Sequence, residues 1–526
     1  MILFPVIVEG GKCECEVSEN ERWLRITKVK KCDGDETKRV SQALDEILVT
    51  LAFLEDSVIP NEPMFRDEFY SVIYEGFTKC IIEERLACCV PKKVEDFTDY
   101  KKVQDAVLEF EETISDDGIS SKFPNFDKRL SEFTDNVHLH FANRKRDEIY
   151  QSAREVMEKG RNGYYMNCGP SINTAALSPG MDNAAKRKQI TYGSEESKRV
   201  STTDTPSGKL TADNFKIPQD PTSPLSLNFI KGDLFSLPDF QVSGVVLKLT
   251  SIITDTLKLA ACPNITPVGK AVFCHTIDNI LKLYQIPSLN PVTTSRPEVS
   301  AQFFCDSVYL SHYLVTYPRS SSVYEKLSKD INYIGHACKI MKLGLKTMEN
   351  SLIELQRTIG TLIKETGGLN GAAKEDKSEV LEMAFIQVVD NLKTYTTAWK
   401  RLLPKEFYLN ILNKSVDNTL GLVCKLTIEL EDISANDSSR LYALFMIIQG
   451  QLVKILDGEE RSIDWRKFCL LTEMLDESLM SIVEKWEGGV LPPCFRAAEV
   501  QGLTRALFQN SDRNAALRSK IKGDII

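Results

Sequence analysis

From residue 36 onward, apolar residues recur three and four positions apart along nearly the whole chain, and this period constrains the fold more than any other feature. Val40, Leu44, Ile47, Leu48, Leu51 and Leu54 form one stripe, which ends before Pro60. Ile340, Leu343, Leu352, Leu355, Ile359 and Leu362 form another. At 3.6 residues per turn this spacing gathers each stripe on one helix face, whereas a strand would split it between two faces. The period predicts further helices around 65–89, 98–114, 127–158, 235–260, 268–285, 297–316 and 323–366. Others follow at 377–399, 405–431, 436–457 and 464–487, and a short helical pair closes the chain. Breaks fall at Pro91, at SDDGISSKFP (115–124) and at TGGLNGAAKEDK (366–377). Ser434-Ala435-Asn436-Asp437 carries N-cap chemistry for one of the late helices.

Only the start departs from this period. Cys13, Cys15 and Val17 alternate with Lys12, Glu14 and Glu16, and Leu24 and Ile26 alternate with Arg25 and Thr27. With Gly10-Gly11 and Ser18-Glu19-Asn20 as turns, the pattern predicts a meander of two or three strands. The expected fold is therefore mainly α: an elongated rod of consecutive helical bundles, with a small β meander near the N-terminus.

Composition shifts sharply at 160–224, where Gly, Pro, Ser, Thr and Asn dominate, as in STTDTPSGKL. So few large apolar residues do not offset the entropy of ordering, which predicts a flexible linker. The expected division is a β meander plus helical bundle (1–158), the linker (159–226), a middle bundle (227–366) and a C-terminal bundle (367–526). Within the linker Ser178, Thr205 and Ser223 each precede a proline, as proline-directed kinases require, and are the candidate phosphosites.

Charge and cysteine usage narrow the function classes. A net charge of −9 argues against direct nucleic-acid binding, which needs a basic surface. Fourteen cysteines lie scattered, without zinc-ligand spacing, as expected of reduced thiols in a soluble cytosolic protein. No secretory signal is legible in MILFPVIVEGGK, and apolar runs such as LYALFMII (441–448) are too short to span a bilayer. No phosphate-cradling glycine loop, nucleophile elbow or zinc-protease helix occurs. His138 and His140 flank Leu139 and so fall on different faces of a helix, as solvated or capping residues. Glu109, Glu111 and Glu112 read as a solvated helix face. No catalytic, cofactor or metal residues are assigned, and no enzyme is expected. The basic clusters NRKR (143–146) and AKRK (185–188, counting Ala185) read first as solvated charge. The alternative they leave open is a helical peripheral membrane-binding effector.

Five stretches are more specific. LEDISANDSSRLYAL (430–444) and EVQGLTRALFQNSDRNAALRSKIK (499–522) closely resemble the end of the Zeste-white ten family. HFANRKRDEIYQSAREVM (140–157), WKRLLPKEFYLNIL (399–412) and FSLPDF (235–240) are similar to the same family in order and spacing. The resemblance implies an all-helical subunit of the multisubunit tethering class, without catalysis or cofactor. It implies membership of the Rod–Zwilch–Zeste-white ten complex, which brings dynein–dynactin and spindle-checkpoint proteins to kinetochores in mitosis. It also implies an endoplasmic-reticulum tether that works with syntaxin-type SNAREs in Golgi-to-ER retrograde transport, peripheral on that membrane through its partners. Members of the family carry a long N-terminal coiled-coil region, and this sequence shows none ahead of MILFPVIV.

The resemblance also makes the C-terminal region the place where Rod-like and other α-solenoid subunits dock. Asn510 or Ser511 is placed to cap the last helix, Asp512 and the trio Arg518, Lys520 and Lys522 suit its dipole, and Leu503, Leu507, Leu517 and Ile521 form the inward stripe. The candidate partner-binding residues are Arg505, Phe508, Arg513 and Arg518, with the arginines expected in solvent.

Overall fold

The computed structural model describes residues 11–17, 22–28, 36–58, 75–116, 128–161, 240–286, 296–320, 332–456 and 462–523, together with Glu68, Val72, Leu237 and Leu327. Nearly all of the expected linker, with Ser178, Thr205, Ser223 and the AKRK cluster, lies outside the described residues, as does any strand before Gly11. The fold is mainly α. Strands β1 (Gly11–Val17) and β2 (Arg22–Lys28) form an antiparallel hairpin in which Cys13 pairs with Ile26 and Glu14 with Arg25.

The chain divides into two compact units. The first comprises residues 1–153, 252–280 and 325–330. Helix α1 (Glu36–Ser57) packs against α2 (Phe97–Asp116). The α1 stripe is buried at Val40, Leu44, Ile47, Leu51 and Leu54, and α2 answers with Tyr100, Val103, Val107, Phe110 and Ile114. Both sets advance by three and four residues, the spacing that keeps one face on a core. The helix expected at 127–158 is two helices, α3 (Arg129–Asp135) and α4 (Val137–Arg161). They part at Asn136, whose side-chain amide donates back to the Glu132 carbonyl at 2.9 Å. Side-chain competition of this kind for backbone acceptors ends helices locally.

Two expectations are corrected here. Glu111 is not on a solvated face: it is only 2% exposed and accepts from the backbone N–H groups of Leu130 (3.1 Å) and Ser131 (3.3 Å) and from the Ser131 hydroxyl. It thus satisfies donors at the start of α3 that the helix itself leaves unpaired. His138 and His140 are both half-buried rather than fully solvated: their rings stack on Phe97 (4.3 Å) and Phe133 (4.1 Å). Burial pushes both imidazoles below the usual histidine range.

The second unit comprises residues 154–251, 281–324 and 331–526. Its centre is α7 (Pro297–Ser320), in which every residue from Ser300 to Ser311 is buried. Helices α8 (Ile334–Glu365) and α9 (Glu375–Leu402) both pack on it, across the border expected at 366–367. At Gly344 the α8 backbone lies close against α7; a Cβ there would lie 2.7 Å from that of Ser307. Helix α8 stops at Gly367 and Gly368, whose φ of 72° and 80° lie in the left-handed region that glycine enters without steric cost.

Helix α10 (Lys405–Ile428) places Phe407 in a stack on Phe304 at 4.3 Å. Next comes α11 (Ala435–Leu456), with Ser434 accepting from the Asp437 N–H as expected of its cap. The span 464–487 is two helices, α12 (Ile463–Asp476) and α13 (Leu479–Glu487), because Ser478 caps a fresh start by accepting from the Ser481 N–H. Helix α5 (Gly244–Ala260) begins well after the expected start at 235, whereas α6 (Pro267–Tyr284) matches its expected span closely.

Candidate functional site

The closing pair consists of α14 (Ala497–Leu507) and α15 (Asp512–Arg518). Helix α14 is seated by Glu499, which accepts from the Arg496 N–H (2.9 Å) and pairs with Lys467 of α12 (2.9 Å). The Lys467 ammonium also lies 5.1 Å from the centre of the Phe495 ring. Val500, Leu503, Thr504 and Ala506 are buried beneath the helix. The Ile433 N–H donates to the Ala506 carbonyl at 2.9 Å, so the 430–444 stretch and the terminal stretch meet directly.

After Leu507 the backbone turns extended at Phe508, whose N–H still reaches the Thr504 carbonyl at 3.2 Å. Ser511, one of the two expected caps, starts α15 by accepting from the Asn514 N–H at 3.2 Å. Gln501 closes the pair from the other side, donating to the Ile521 carbonyl at 2.7 Å above a fully buried Ile521 side chain.

Of the four candidate residues, three remain at the surface. Arg505 and Arg513 are exposed and have no acidic partner among the described residues, and Phe508 is half-buried between core and solvent. Arg518 overturns its expected solvation. It is 8% exposed, turned back over the hinge, and donates to Asn510 Oδ1 (2.9 Å) and the Gln509 carbonyl (3.3 Å). Its Nε is buried without a hydrogen-bond partner. Arg518 is therefore a brace for the turn at 509–511. Leu507 and Leu517 are half-buried as well, so the inward contacts of the pair are Leu503, Ala506 and Ile521. The basic cluster at 143–146 is laced with acids: Arg144 and Lys145 reach Glu148 at 3.5 and 2.7 Å, and Arg146 reaches Asp147 at 2.9 Å.

Among the described residues no group of three or more His, Cys, Asp or Glu is placed to hold a metal ion, and no helix is long and apolar enough to cross a membrane. What the terminal pair presents to solvent is Arg505, which donates to Gln501 Oε1 at 3.4 Å, and Arg513, with the half-buried Phe508 between them in sequence.

Comparison with known families decides what kind of chain this is. Residues 5–157 match the family model described as centromere/kinetochore protein zw10, middle domain, and residues 383–521 match the ZW10 C-terminal helical domain. Together the two matches cover more than half of the chain. The chain belongs to the zw10 family. It is similar to the centromere/kinetochore protein zw10 homolog of Rattus norvegicus, at 25% identity over 90% of this chain and 60% of that protein. Similar relatives of the same name occur in Mus musculus (24%, 86% and 57%) and Arabidopsis thaliana (22%, 88% and 57%). The chain thus spans about 60% of the length of the curated zw10 relatives it matches. The terminal pair falls inside the zw10 C-terminal match, and Glu111, His138 and His140 fall inside the middle-domain match.

Proposed function

We propose that this zw10-family chain is a non-catalytic scaffold and tether subunit. In mitosis it links a Rod-like α-solenoid subunit and Zwilch to kinetochores, where the assembly recruits dynein–dynactin and checkpoint proteins. In interphase it serves a tether at the endoplasmic-reticulum membrane that receives Golgi-derived vesicles with syntaxin-type SNAREs. Support for the kinetochore role comes from relatives named centromere/kinetochore proteins in a mammal, a plant and a fly. Support for the tethering role comes from the family resemblance of the terminal stretches.

The observation that carries a docking role is the end of the C-terminal helical domain, where Arg505 and Arg513 stand in solvent without acidic partners beside a half-buried Phe508. Charges of this kind steer an acidic partner and set the rate of encounter more than the final affinity. The test is affinity purification of the chain from mitotic and interphase cells, with and without Arg505→Glu/Arg513→Glu. A solenoid subunit should be recovered with the parent chain and lost with the variant; equal recovery from both removes the docking surface. Ser178, Thr205 and Ser223 are proposed as mitotic phosphosites near the AKRK cluster, where each phosphate adds about −1.5 to −2 charges. Phosphopeptide maps of mitotic protein with all three unoccupied would dismiss them.

A further inference from the structure

Helices α9 and α11 lie side by side in the second unit, and their contacts advance together along both sequences, so they run in the same direction. Glu382 and Arg440 bridge them at 2.5 Å near one end, and Phe385 meets Phe445 edge-on one turn further. Toward their C-terminal ends a recess of about 410 Å³ opens between them. Four cations line it: Lys393, Lys400, Arg401 and Lys454, over walls that include Val389 and Ile455. No carboxylate is among its lining residues, and Lys393 and Lys454 have no ion pair with any described residue.

Helix dipoles account for part of this charge. Lys400 and Arg401 sit in the last turn of α9 and Lys454 in the last turn of α11, where a cation faces unpaired carbonyls. Lys393 is more than two turns from the end of α9, beyond the reach of that effect. Four like charges around one recess repel one another, and a chain with net charge −9 has acids in excess to place there. Lys393 and Lys454 thus bring to the recess two positive charges with no carboxylate among its lining.

The surface continues from this recess in a second chemistry. Ile386, Val389, Lys393 and Lys400 follow one another on α9 at intervals of three, four and seven, and Ile447 and Lys454 are seven apart on α11. Helical spacing puts each set on one stripe. Ile386 is 45% exposed and Ile447 50% exposed, so the groove is apolar at one end and basic at the other. From Ile386 to Lys400 it extends for about 21 Å, four turns of helix. A phosphate-bearing small molecule or a lipid headgroup would use the basic end alone.

We propose that the α9–α11 groove docks an acidic, amphipathic segment of a partner protein. Its apolar side chains lie on Ile386 and Ile447 and its carboxylates over Lys393, Lys400, Arg401 and Lys454, the mode in which a short helix is held in a groove. This site is separate from the terminal pair and does not rest on Arg505, Phe508 or Arg513.

The probe is a fluorescent 16-residue peptide with leucines at helical spacing in its first half and four glutamates in its second, titrated into the full chain by anisotropy. Binding should weaken at least tenfold in Lys393→Glu/Lys454→Glu, several-fold in Ile447→Ser, and as salt is raised. It should be unchanged in Arg505→Glu/Arg513→Glu, which separates this site from the terminal surface. The altered residues are exposed, and thermal melts that match the parent exclude misfolding; Lys393→Gln/Lys454→Gln gives the milder charge change. Absence of peptide binding, or binding indifferent to Lys393 and Lys454, overturns the proposal. So does inositol hexakisphosphate binding that depends on the lysines while the peptide ignores Ile447→Ser, since that describes a small-anion site. Lysine-dependent flotation of the chain with phosphatidylserine vesicles, without peptide binding, overturns it in favour of a membrane contact.

Discussion

Helix α7 and the α14–α15 pair are both studded with small polar residues, and the structure uses them in opposite ways. In α7, Ser300, Gln302, Asp306, Ser307 and Ser311 are all buried. Several of their partners are far away in sequence. Asp306 accepts from the Ser243 N–H (2.7 Å) and hydroxyl (2.5 Å) at the start of α5, and Gln302 donates to the Gln241 carbonyl (3.1 Å). Ser311 donates to the Ala337 carbonyl (2.9 Å) in α8. In the terminal pair, Ser511 caps the helix that begins at Asp512, Asn514 donates to the Gln509 carbonyl, and Arg518 closes over the same turn. Polar groups on a helix surrounded on all sides become ties between helices, whereas those at an end become caps. The first kind is costly to break, because a lost partner leaves a buried group that water does not reach.

The largest effect that follows is at Asp306. Asp306→Ala orphans the Ser243 donors and should cost about 3–5 kcal/mol in unfolding free energy by denaturant titration. Burial raises the Asp306 carboxyl from 3.8 to about 6, against the opposing hydrogen bonds from Ser243 and Gln302. The folded state therefore holds this proton more tightly than the unfolded chain. The stability this confers is full below pH 3.8 and is lost as pH rises through about 6. In Asp306→Asn that loss should vanish, so the stability of the variant relative to the parent should rise by on the order of 2–3 kcal/mol between pH 4 and pH 7. Equal slopes in the two proteins would show that Asp306 is not the titrating group.

The terminal pair should be weaker where it is half-exposed. Leu503→Ala removes a fully buried side chain and should cost about 2–5 kcal/mol, whereas Leu507→Ala at the half-buried edge should cost about 1 kcal/mol. Similar losses at both positions would make the pair as tightly packed as α7.

Gly344→Ala probes the α7–α8 approach itself. The added methyl meets Ser307 at 2.7 Å, and overpacking of this kind costs about 1–3 kcal/mol. A thermal melt of the variant equal to the parent would show that the two helices separate readily. The smallest effect on folding belongs to Arg505→Glu and Arg513→Glu, within about 0.5 kcal/mol each, because both side chains are exposed and neither pairs with an acid among the described residues.

Much of this was legible in the sequence, and the part that was not has one cause. Helix existence, the α1 and α8 stripes, the glycine stop at Gly367-Gly368 and the caps at Ser434 and Ser511 depend on residues one to four positions apart, so reading along the chain finds them. Glu111, Asp306 and Arg518 were not legible in this way. Glu111 belongs to a run of acids that looks solvated until the start of α3, 19 residues on, is folded against it. Asp306 did leave a signal, as the one acid in the interior of a helix whose other acid, Glu298, sits in the first turn, but not the identity of Ser243, 63 residues away. The recess between α9 and α11 is a third case. Its lysines look like ordinary helix-end charge on each element, and only packing α9 against α11 gathers them. The sequence by itself determined the mainly α fold, the family and where most helices begin and end, because backbone hydrogen bonding and capping are local. The tertiary structure alone decided which polar side chains are ties, caps or contact surface. Burial depends on every element around a residue, and no spacing along one helix contains that information.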